Sequence, residues 1–401
     1  MKIRNRRLHQ KAGEAWRFAW QHLYDPGTSL FYDFVSSYDA KRRFAHLPTA
    51  DEIARQYPNT NGWGTGMEDS AITAGVMMSM LCDRYQATGD AALREPAAKV
   101  FAGMVLCGTL SPARGLVLRS VSPFDGTSHY IETSRDQVTH FAHGLWRFYH
   151  SRLSDGAQRA RMREMIAAVC ERMETHVTAR HRFAICMEND QPGVVDKMWH
   201  VAPHEAARLP MIYRIGYDLT GARHWRALYR RYALPAARQS LQVPLEMRTP
   251  YAFLQQQVSL EPLYRMENED ANLKALWRQG MQFVAGRVEA FGWQCLAYHP
   301  VDIASVDLNW RHWDLRDCWG RYFAIWPETV RHEDTAIREP AEALLVQLMC
   351  PGRRLSADQL ALLDRTISQV DYGAAITYAS CYPLAAYWRA AAKGLIDLGS
   401  A

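Results

Sequence analysis

Helical periodicity dominates the pattern of apolar and polar residues along this chain, and two kinds of predicted helix alternate. One kind is amphipathic and carries its charged residues on one face. It covers residues 8–23, 91–110, 156–178, 222–239, 272–291 and 357–370. The other kind is apolar or aromatic on nearly all sides, as expected for a helix buried among other helices. It begins near residues 67, 135, 203, 251, 315 and 374.

The buried kind of helix recurs at a spacing close to one sixth of the 401-residue chain, about 67 residues. Its fifth copy is predicted over residues 315–326, with residues 340–349 grouped with the amphipathic helix that follows, and its sixth over 374–394. Two junctions match as well, because Tyr85-x-x-Thr88-Gly89 and Tyr217-x-x-Thr220-Gly221 both end a buried helix at a glycine. The pattern predicts six helical hairpins.

We therefore predict an all-α fold, an (α/α)6 toroid formed by one domain over residues 1–401. Short strands are predicted at 30–35 and 115–121, in the connections that precede inner helices. The alternative is an irregular α-solenoid. Solenoid repeats are shorter, about 34 to 47 residues, and have short connections. Here the loops before the buried helices are long and carry aromatic and charged residues.

Composition excludes several classes of protein. The net charge of +5 is too small on this length to indicate a nucleic-acid partner, and 48% hydrophobic residues exclude general disorder. No apolar run reaches the roughly 20 residues that a membrane span needs. The start of the chain lacks the apolar core of a signal peptide, so we predict a cytoplasmic protein.

Motif-based chemistry is also absent from the sequence. Eight cysteines without a CxxC indicate buried thiols rather than disulfides or a zinc ribbon. We find no GxGxxG, Walker, GxSxG or HExxH motif, and we predict neither cofactor nor metal. The unusual feature is an aromatic content of 11%, with 13 tryptophans, which requires an aromatic core or an aromatic binding surface.

In a toroid, the N-termini of the inner helices meet at one rim, so the residues before them are candidates for one site. Three carboxylates in these positions are the predicted catalytic residues: Glu68, Asp69 and Asp136. Thr65-x-x-Glu68 and Ser134-x-x-Gln137 both match a capping box, which leaves Asp69 and Asp136 as the free groups. A purely structural role at a helix start is the alternative for each.

The same segments supply the predicted substrate-binding residues, because sugars stack on aromatic rings and their hydroxyls bond to polar groups. These residues are Trp63, Tyr130, Arg135, Gln137, His140, Trp199, His200, His204, Trp310 and Trp313. Arg135 could instead pair with a neighbouring carboxylate. His200 and His204 could form a metal pair, and aromatic residues such as Trp146 and Trp277 are predicted to lie in the core.

Three segments carry a resemblance to a known family: NGWGTGMEDS (61–70), SRDQVTHFAHGLWRFYHS (134–151) and MWHVAPHEAARLP (198–210). Together with the hairpin period, they resemble bacterial six-hairpin glycosidase-like proteins. The resemblance implies an (α/α)6 barrel that acts on carbohydrate, commonly by hydrolysis and often on uronic-acid-containing glycans. The fold also hosts polysaccharide lyases and sugar 2-epimerases.

Our first hypothesis is a glycoside hydrolase for short, acidic oligosaccharides, with Asp136 as general acid and Glu68 or Asp69 as base. A uronate lyase would use Tyr130 or His140 as the base, with Arg135 on the substrate carboxylate. A sugar epimerase would exchange protons through His200, His204 or His312. A toroid that only binds glycan or protein is the fourth reading, and the oligomeric state stays open.

Overall fold

The computed structural model describes residue 3 and residues 5–244, 246–247, 249–318 and 320–398. Within this part of the chain, six inner helices form a ring. They are α3 (Ser70–Thr88), α5 (Arg135–Tyr149), α7 (Arg208–Thr220), α9 (Pro250–Met266), α12 (Glu328–Met349) and α14 (Cys381–Ala392). Each contacts the next one in this order, and α14 returns to contact α3, so the ring is closed.

Six outer helices surround this ring, each packed against an inner helix. They are α1 (Arg6–Phe18, continued by a π-helical turn at Ala19–Leu23), α4 (Arg94–Thr109), α6 (Gly156–His176), α8 (Arg223–Gln239), α10 (Ala271–Val288) and α13 (Ala357–Ser368). The predicted (α/α)6 toroid is therefore confirmed. So is the resemblance to six-hairpin glycosidase-like proteins, at the level of the fold.

The connections contain the remaining elements. Two short helices are α2 (Ala50–Ala54) and α11 (Phe291–Gln294), and single 3-10 turns lie at Ala91–Leu93, Ala179–His181, Pro203–Glu205, Trp310–His312 and Tyr378–Ser380. The strands form two antiparallel hairpins, β1 (Tyr24–Asp25) with β2 (Leu30–Phe31) and β3 (Leu315–Cys318) with β4 (Arg321–Ala324). No helix in the described part of the chain is long and apolar enough to cross a membrane.

Three glycines explain how inner helices end and how closely they pack. Gly89 and Gly221 end α3 and α7 in the left-handed conformation, with φ of 68° and 72°, so the two matching junctions are confirmed as helix C-caps. Gly75 lets α3 approach α5 closely, because a Cβ there would lie 2.3 Å from the backbone oxygen of His140. The inner ring is thus tightest between its first two helices.

The sequence-based prediction was wrong over residues 315–326. This segment is the β3–β4 hairpin, whose turn contains Gly320 with φ of 75°, and not an inner helix. The fifth inner helix is α12, which begins after Pro327 and includes the residues 340–349 that we had grouped with the outer layer. Pro340 lies inside α12 and so does not mark a helix start, although it removes one backbone hydrogen bond.

Smaller differences concern the loops. No strand forms over residues 115–121, and the strand predicted at 30–35 is only the two residues of β2. The sixth inner helix begins at Cys381, after a 3-10 turn, and not near residue 374. These corrections move elements along the chain but leave the number of hairpins unchanged.

We predict that Gly75→Ala destabilises the protein by about 1–3 kcal/mol, because the added methyl group must push α3 away from α5. Urea unfolding followed by circular dichroism measures the change. Gly286→Ala in the outer helix α10 is the matched control, since a Cβ there meets nothing within 4 Å. That substitution should stabilise by about 0.5–1 kcal/mol through helix propensity. Equal effects of the two substitutions would contradict the close α3–α5 contact.

Candidate functional site

A cavity of about 550 Å³ opens at the rim where the inner helices begin. Its charged lining combines carboxyl groups and arginines from the loop before α3, from α5 and from α12. They are Glu68, Asp69, Asp136, Asp334, Glu339 and Glu342, with Arg119, Arg135, Arg331 and Arg338. Its aromatic lining consists of Trp63, Tyr251, Trp326 and Tyr378. Five of the predicted site residues therefore share one cavity: Trp63, Glu68, Asp69, Arg135 and Asp136.

Glu68 is held at the rim by a second, deeper carboxyl group. The backbone N–H groups of Glu68 and Asp69 donate to the two oxygens of Asp33, at 2.7 and 2.9 Å. Gly64 donates its backbone N–H to Oε2 of Glu68 at 2.7 Å. Burial and the charges of Asp33 and Asp69 raise the pKa of Glu68 well above its usual value. Burial, with the charge of Asp69, likewise raises the pKa of Asp33 to about 7.

The first of the two predicted capping boxes is wrong. Helix α3 begins at Ser70 with Asp69 as its N-cap residue, and the Thr65 hydroxyl donates to the Gly62 carbonyl. The second is half confirmed, because Ser134 caps α5 by accepting from the backbone N–H of Gln137 at 3.2 Å.

The side chain of Gln137 does not return to the cap. It donates to the Glu68 carbonyl and to Asp69, both at 2.8 Å, and accepts from the backbone N–H of Ile72. Gln137 is fully buried and joins the start of α5 to the start of α3. Its observed role is therefore to position Glu68 and Asp69.

Asp69 accepts hydrogen bonds from several walls of the cavity. Besides Gln137, the Tyr378 hydroxyl donates to it at 2.8 Å and the Arg119 guanidinium at 3.4 Å. These donors come from different hairpins, so Asp69 is fixed by the closed ring and not by its own helix alone.

Asp136 lies in the environment of an anion. Arg208 donates to one of its oxygens and the Tyr251 hydroxyl to the other. Burial would raise its pKa, but the charges of Arg208 and Arg135 outweigh burial and hold the pKa well below the usual range. Arg135 in turn pairs with Glu205, the salt-bridge alternative noted above. An ionised Asp136 has no proton to donate at neutral pH.

The first half of α12 forms a wall that the sequence did not predict. Arg338 lies over the rings of Tyr382, Tyr251 and Tyr378, with its guanidinium carbon 4.6, 5.0 and 5.3 Å from the ring centroids. It donates to Glu342 at 2.7 Å and to the Tyr378 hydroxyl. The guanidinium is thereby fixed in one orientation at the cavity.

Two carboxyl groups on α12 flank Arg338, four residues away on either side. Burial raises the pKa of Asp334 to about 6 and that of Glu342 to about 7, against the opposing charge of Arg338. The charge of Asp69 contributes to the shift of Asp334. Within the described residues, Oδ1 of Asp334, Nη2 of Arg338 and Oε2 of Glu342 are buried without a hydrogen-bond partner. Such atoms require an acceptor, a donor or water from outside the protein.

Trp63 forms the exposed aromatic edge of the cavity, with 37% of its surface accessible. Its ring packs edge-on against Phe323 of β4 at 5.1 Å between centroids. The Asn59 amide donates to the carbonyls of both Trp63 and Tyr322 at 3.1 Å, which ties this loop to the β3–β4 hairpin. The hairpin that replaced the predicted helix therefore supports the rim.

Eight predicted binding residues do not line this cavity. One is Gln137, which lies buried behind Glu68 and Asp69, and the others are Tyr130, His140, Trp199, His200, His204, Trp310 and Trp313. Trp310 is completely buried and donates its indole N–H to the His46 carbonyl at 2.8 Å. The Tyr130 hydroxyl donates to the Tyr57 carbonyl at 2.7 Å. His140 lies 3.0 Å from the Gln255 amide, in the barrel interior. For these three residues the structure gives packing roles.

The remaining four lie in loops away from the cavity. Trp199 packs edge-on against Tyr232, and His200 against Phe183. The Trp313 indole N–H donates to the Asp307 carbonyl at 2.7 Å. His204 lies beside Glu205 with 3.8 Å between side-chain atoms. No group of three or more His, Cys, Asp or Glu residues that could hold a metal ion occurs in the described part of the chain.

The residues that sequence reasoning missed do leave a signal. In α12, Asp334, Arg338 and Glu342 follow each other at four-residue intervals and extend the charged first half of the helix into its buried, largely apolar second half. Charged residues on one stripe of a buried helix indicate a polar site and not a solvent face. The incorrect helix at 315–326 hid this signal, since it placed residues 340–349 in the outer layer.

No family model matches the sequence, and no curated protein matches it. Three solved structures are similar. Cellobiose 2-epimerase from Spirochaeta thermophila has a TM-score of 0.46 and 11% identity, covering 97% of this chain and 98% of that one.

Two further similar structures have GH9 and GH76A in their names. A GH9 protein of Bacteroides ovatus has a TM-score of 0.40 and 12% identity, covering 91% of this chain and 68% of that one. A GH76A α-1,6-mannanase variant of a Salegentibacter species, in complex with α-1,6-mannotriose, has a TM-score of 0.34 and 9% identity. It covers 84% of this chain and 99% of that one.

We predict that ionised Asp334 destabilises the fold, because its pKa of about 6 lies above the unfolded value of about 3.9. The unfolded chain loses its proton first as pH rises, so the wild type loses stability between about pH 4 and 6. The Asp334→Asn variant has no carboxyl group at this position and so does not lose stability in this pH range. Its stability relative to wild type should therefore rise by about 1–3 kcal/mol from pH 4 to pH 7.

Urea unfolding of both proteins at several pH values measures this difference. The matched control is Asp51→Asn, since that side chain is 86% exposed and should give no such trend. A pH-independent difference between Asp334→Asn and wild type would contradict the raised pKa.

Proposed function

We propose that this protein is a glycoside hydrolase that cleaves short oligosaccharides, with uronic-acid-containing ones as the first candidates. The observation that carries the proposal is the combination, in one cavity, of carboxyl groups with raised pKa and an ionised carboxylate beside an aromatic edge. Carboxyl groups with opposite pKa shifts are the requirement of glycosidic cleavage, which needs a proton donor and a second carboxylate.

Glu68 is the proposed general acid. Its raised pKa keeps it protonated near neutral pH, and Oε2 already accepts from the Gly64 backbone N–H. Oε1 is then the oxygen that carries the proton and donates it to the glycosidic oxygen as the bond breaks. Asp136, which the sequence analysis predicted as the general acid, is ionised. Its proposed role is instead to fix the Tyr251 hydroxyl.

Asp334 is the proposed base, which accepts a proton from the attacking water. Its pKa of about 6 makes it mainly ionised above neutral pH, and its Oδ1 has no partner within the described residues. It belongs to the fifth inner helix, whereas Glu68 precedes the first, so the two approach the cavity from different walls.

The two remaining carboxylates act by charge and position. Asp69, held by Gln137 and Tyr378, supplies negative charge where a sugar ring develops positive charge in the transition state. Asp136 fixes the Tyr251 hydroxyl through a hydrogen bond. Trp63 offers its exposed face to a sugar ring, and Arg331, exposed at the mouth, is positioned for a substrate carboxylate.

The rival activities have less support at this cavity. The lyase hypothesis relied on Tyr130 or His140, and the epimerase hypothesis on His200, His204 or His312. Within the described residues, none of these five lines the cavity, and no histidine does. A toroid that only binds glycan would not need carboxyl groups with opposite pKa shifts. A cytoplasmic location, a single domain over 1–401 and the absence of a cofactor stay predictions.

The activity test is a panel of neutral and uronic-acid-containing disaccharides and trisaccharides incubated with the full-length protein. Hydrolysis gives new reducing ends without ultraviolet absorbance from an unsaturated product. An unsaturated product would establish a lyase instead. Deuterium uptake from solvent without cleavage would establish an epimerase, and binding without any turnover would leave a glycan-binding toroid. Each of these three outcomes rejects the hydrolase.

We predict that Glu68→Gln lowers kcat by roughly 10²–10⁴-fold, because the amide cannot donate an acidic proton. KM should change little, since the shape of the side chain is kept. Glu339→Gln, which changes a half-buried carboxyl group of the same cavity, is the control and should cost less than tenfold. A variant Glu68→Gln with nearly full activity would remove Glu68 from the mechanism.

We further predict that kcat/KM rises with pH through about 6, as Asp334 loses its proton and becomes able to act as base. At higher pH the rate should fall as Glu68 loses its proton. In Asp334→Asn the rising limb near pH 6 should disappear together with most of the activity. A wild-type profile that is flat from pH 5 to 7 would contradict the role of Asp334.

A further inference from the structure

A second cavity lies at the opposite end of the barrel, where three inner helices end. Its volume is about 300 Å³. It is lined by the last two turns of α3, by the end of α5 with the residues just after it, and by the last turn of α9. Its charged lining consists of Arg147, Arg152, Arg265 and His150. Within the described residues no carboxylate lines it, in contrast to the rim cavity with its six.

Two arginines of this cavity, Arg147 and Arg265, belong to an ion-pair cluster with too few carboxylates, which is buried except for the half-exposed side chain of Arg265. Asp83 accepts from Arg147 at 2.6 Å and from Arg389 at 3.0 Å. Glu261 accepts from Arg265 at 2.8 Å and also from Arg389. Two carboxylates thus face three guanidinium groups, which leaves one positive charge in excess.

Two histidines lie beside this cluster and affect its net charge only slightly or not at all. His143 also bonds to Glu261, at 3.0 Å, but burial lowers its pKa, so it adds no charge at neutral pH. His150 at the cavity edge pairs with Asp218 at 2.6 Å. Arg152, exposed at the mouth, adds a further positive charge. The surplus charge therefore faces the cavity and not the interior.

Unpartnered donors point to what the cavity binds. Nη1 of Arg147 and Nε1 of Trp146 are both buried and have no hydrogen-bond partner within the described residues. Arg147 is only 8% exposed, and it lines both this cavity and an internal cavity of about 40 Å³, so water or a ligand reaches it from these two spaces. A buried donor left without an acceptor costs about 1–3 kcal/mol. Both residues line this cavity, so the acceptor groups of a ligand placed there would lie near these side chains.

We propose that this cavity is a binding site for a small ligand that carries an oxyanion, a phosphate or carboxylate group. The group accepts hydrogen bonds from Arg147 and Trp146 and neutralises the surplus charge, with Arg152 closing over it. Arg265, which lies over the Trp146 ring at 6.0 Å, forms the side wall. This site is independent of the rim cavity, and its existence does not depend on the proposed hydrolase activity.

The competing explanation is that the helix ends alone stabilise these arginines. The C-termini of α3, α5 and α9 meet here, and their dipoles favour positive charge within the last turn. In that case the cavity would hold only water, and no anion would bind. Titration of the protein with anions distinguishes the two explanations.

The experiment is isothermal titration calorimetry of the full-length protein at low ionic strength with three probes: inorganic phosphate, glucose 6-phosphate and glucuronate. We expect saturable binding of at least one probe, weakened by added salt. The difference between the phosphate probes and glucuronate identifies the group that the site prefers. Arg152→Ala should weaken binding at least fivefold. Arg147→Lys keeps the pair with Asp83 but loses the free donor, and it should weaken binding at least tenfold.

Two control variants locate the ligand. Arg180→Ala removes an exposed arginine from the loop after α6 and should leave the affinity unchanged. Arg331→Ala, at the rim cavity, should leave the affinity for inorganic phosphate unchanged, whereas it should weaken any binding of glucuronate at the rim. The proposal is overturned if none of the three probes binds, or if Arg152→Ala and Arg180→Ala behave alike. It is also overturned if Arg331→Ala abolishes the binding of inorganic phosphate and glucose 6-phosphate, because these anions would then lie in the rim cavity.

Discussion

Closure of the inner ring is the constraint from which the rest of this structure follows. Once α14 packs against α3, six parallel helices have all their N-termini at one rim and all their C-termini at the other. The dipoles of the helices then favour negative groups at the first end and positive groups at the second. The chain follows this rule, with Asp69 and Asp136 at helix starts and with Arg147, Arg265 and Arg389 in last turns.

The fold was predictable because the burial of each helix determines the pattern of apolar residues along its sequence. A helix with other helices on all sides must be apolar throughout, whereas an outer helix needs only one apolar face, so the alternation of the two kinds was readable. The prediction failed at 315–326, where an apolar and aromatic run suits either a buried helix or a hairpin. The turn at Gly320, which lets Leu315 pair with Ala324, distinguishes the two, and this glycine is a local turn signal that the helix prediction passed over.

The rim position of Glu68, Asp69 and Asp136 was predictable for the same reason, but their chemistry was not. Asp136 takes its low pKa from Arg208, 72 residues away, and its second hydrogen bond from Tyr251, 115 residues away. Glu68 takes part of its raised pKa from Asp33, across 35 residues. Partners so distant in sequence are brought together only by the closed ring. A sequence therefore indicates which carboxyl groups meet, while the structure decides which of them holds a proton.

Polar atoms inside the barrel fall into two populations with different meanings. Most are paired within the protein, as Asp83 is with Arg147, and such pairs hold the helices in register. Among the described residues, unpaired buried atoms occur at both cavities, as in Asp334 and Arg338 at the rim and Arg147 at the far end, and also elsewhere in the barrel, as in Gln256 and Gln347. Between the two ends lies a cavity of only about 40 Å³, room for about one water molecule, beside His140 and His143. An unpaired donor costs free energy unless an acceptor or water reaches it, so the unpaired atoms that line an open cavity are the ones within reach of a ligand.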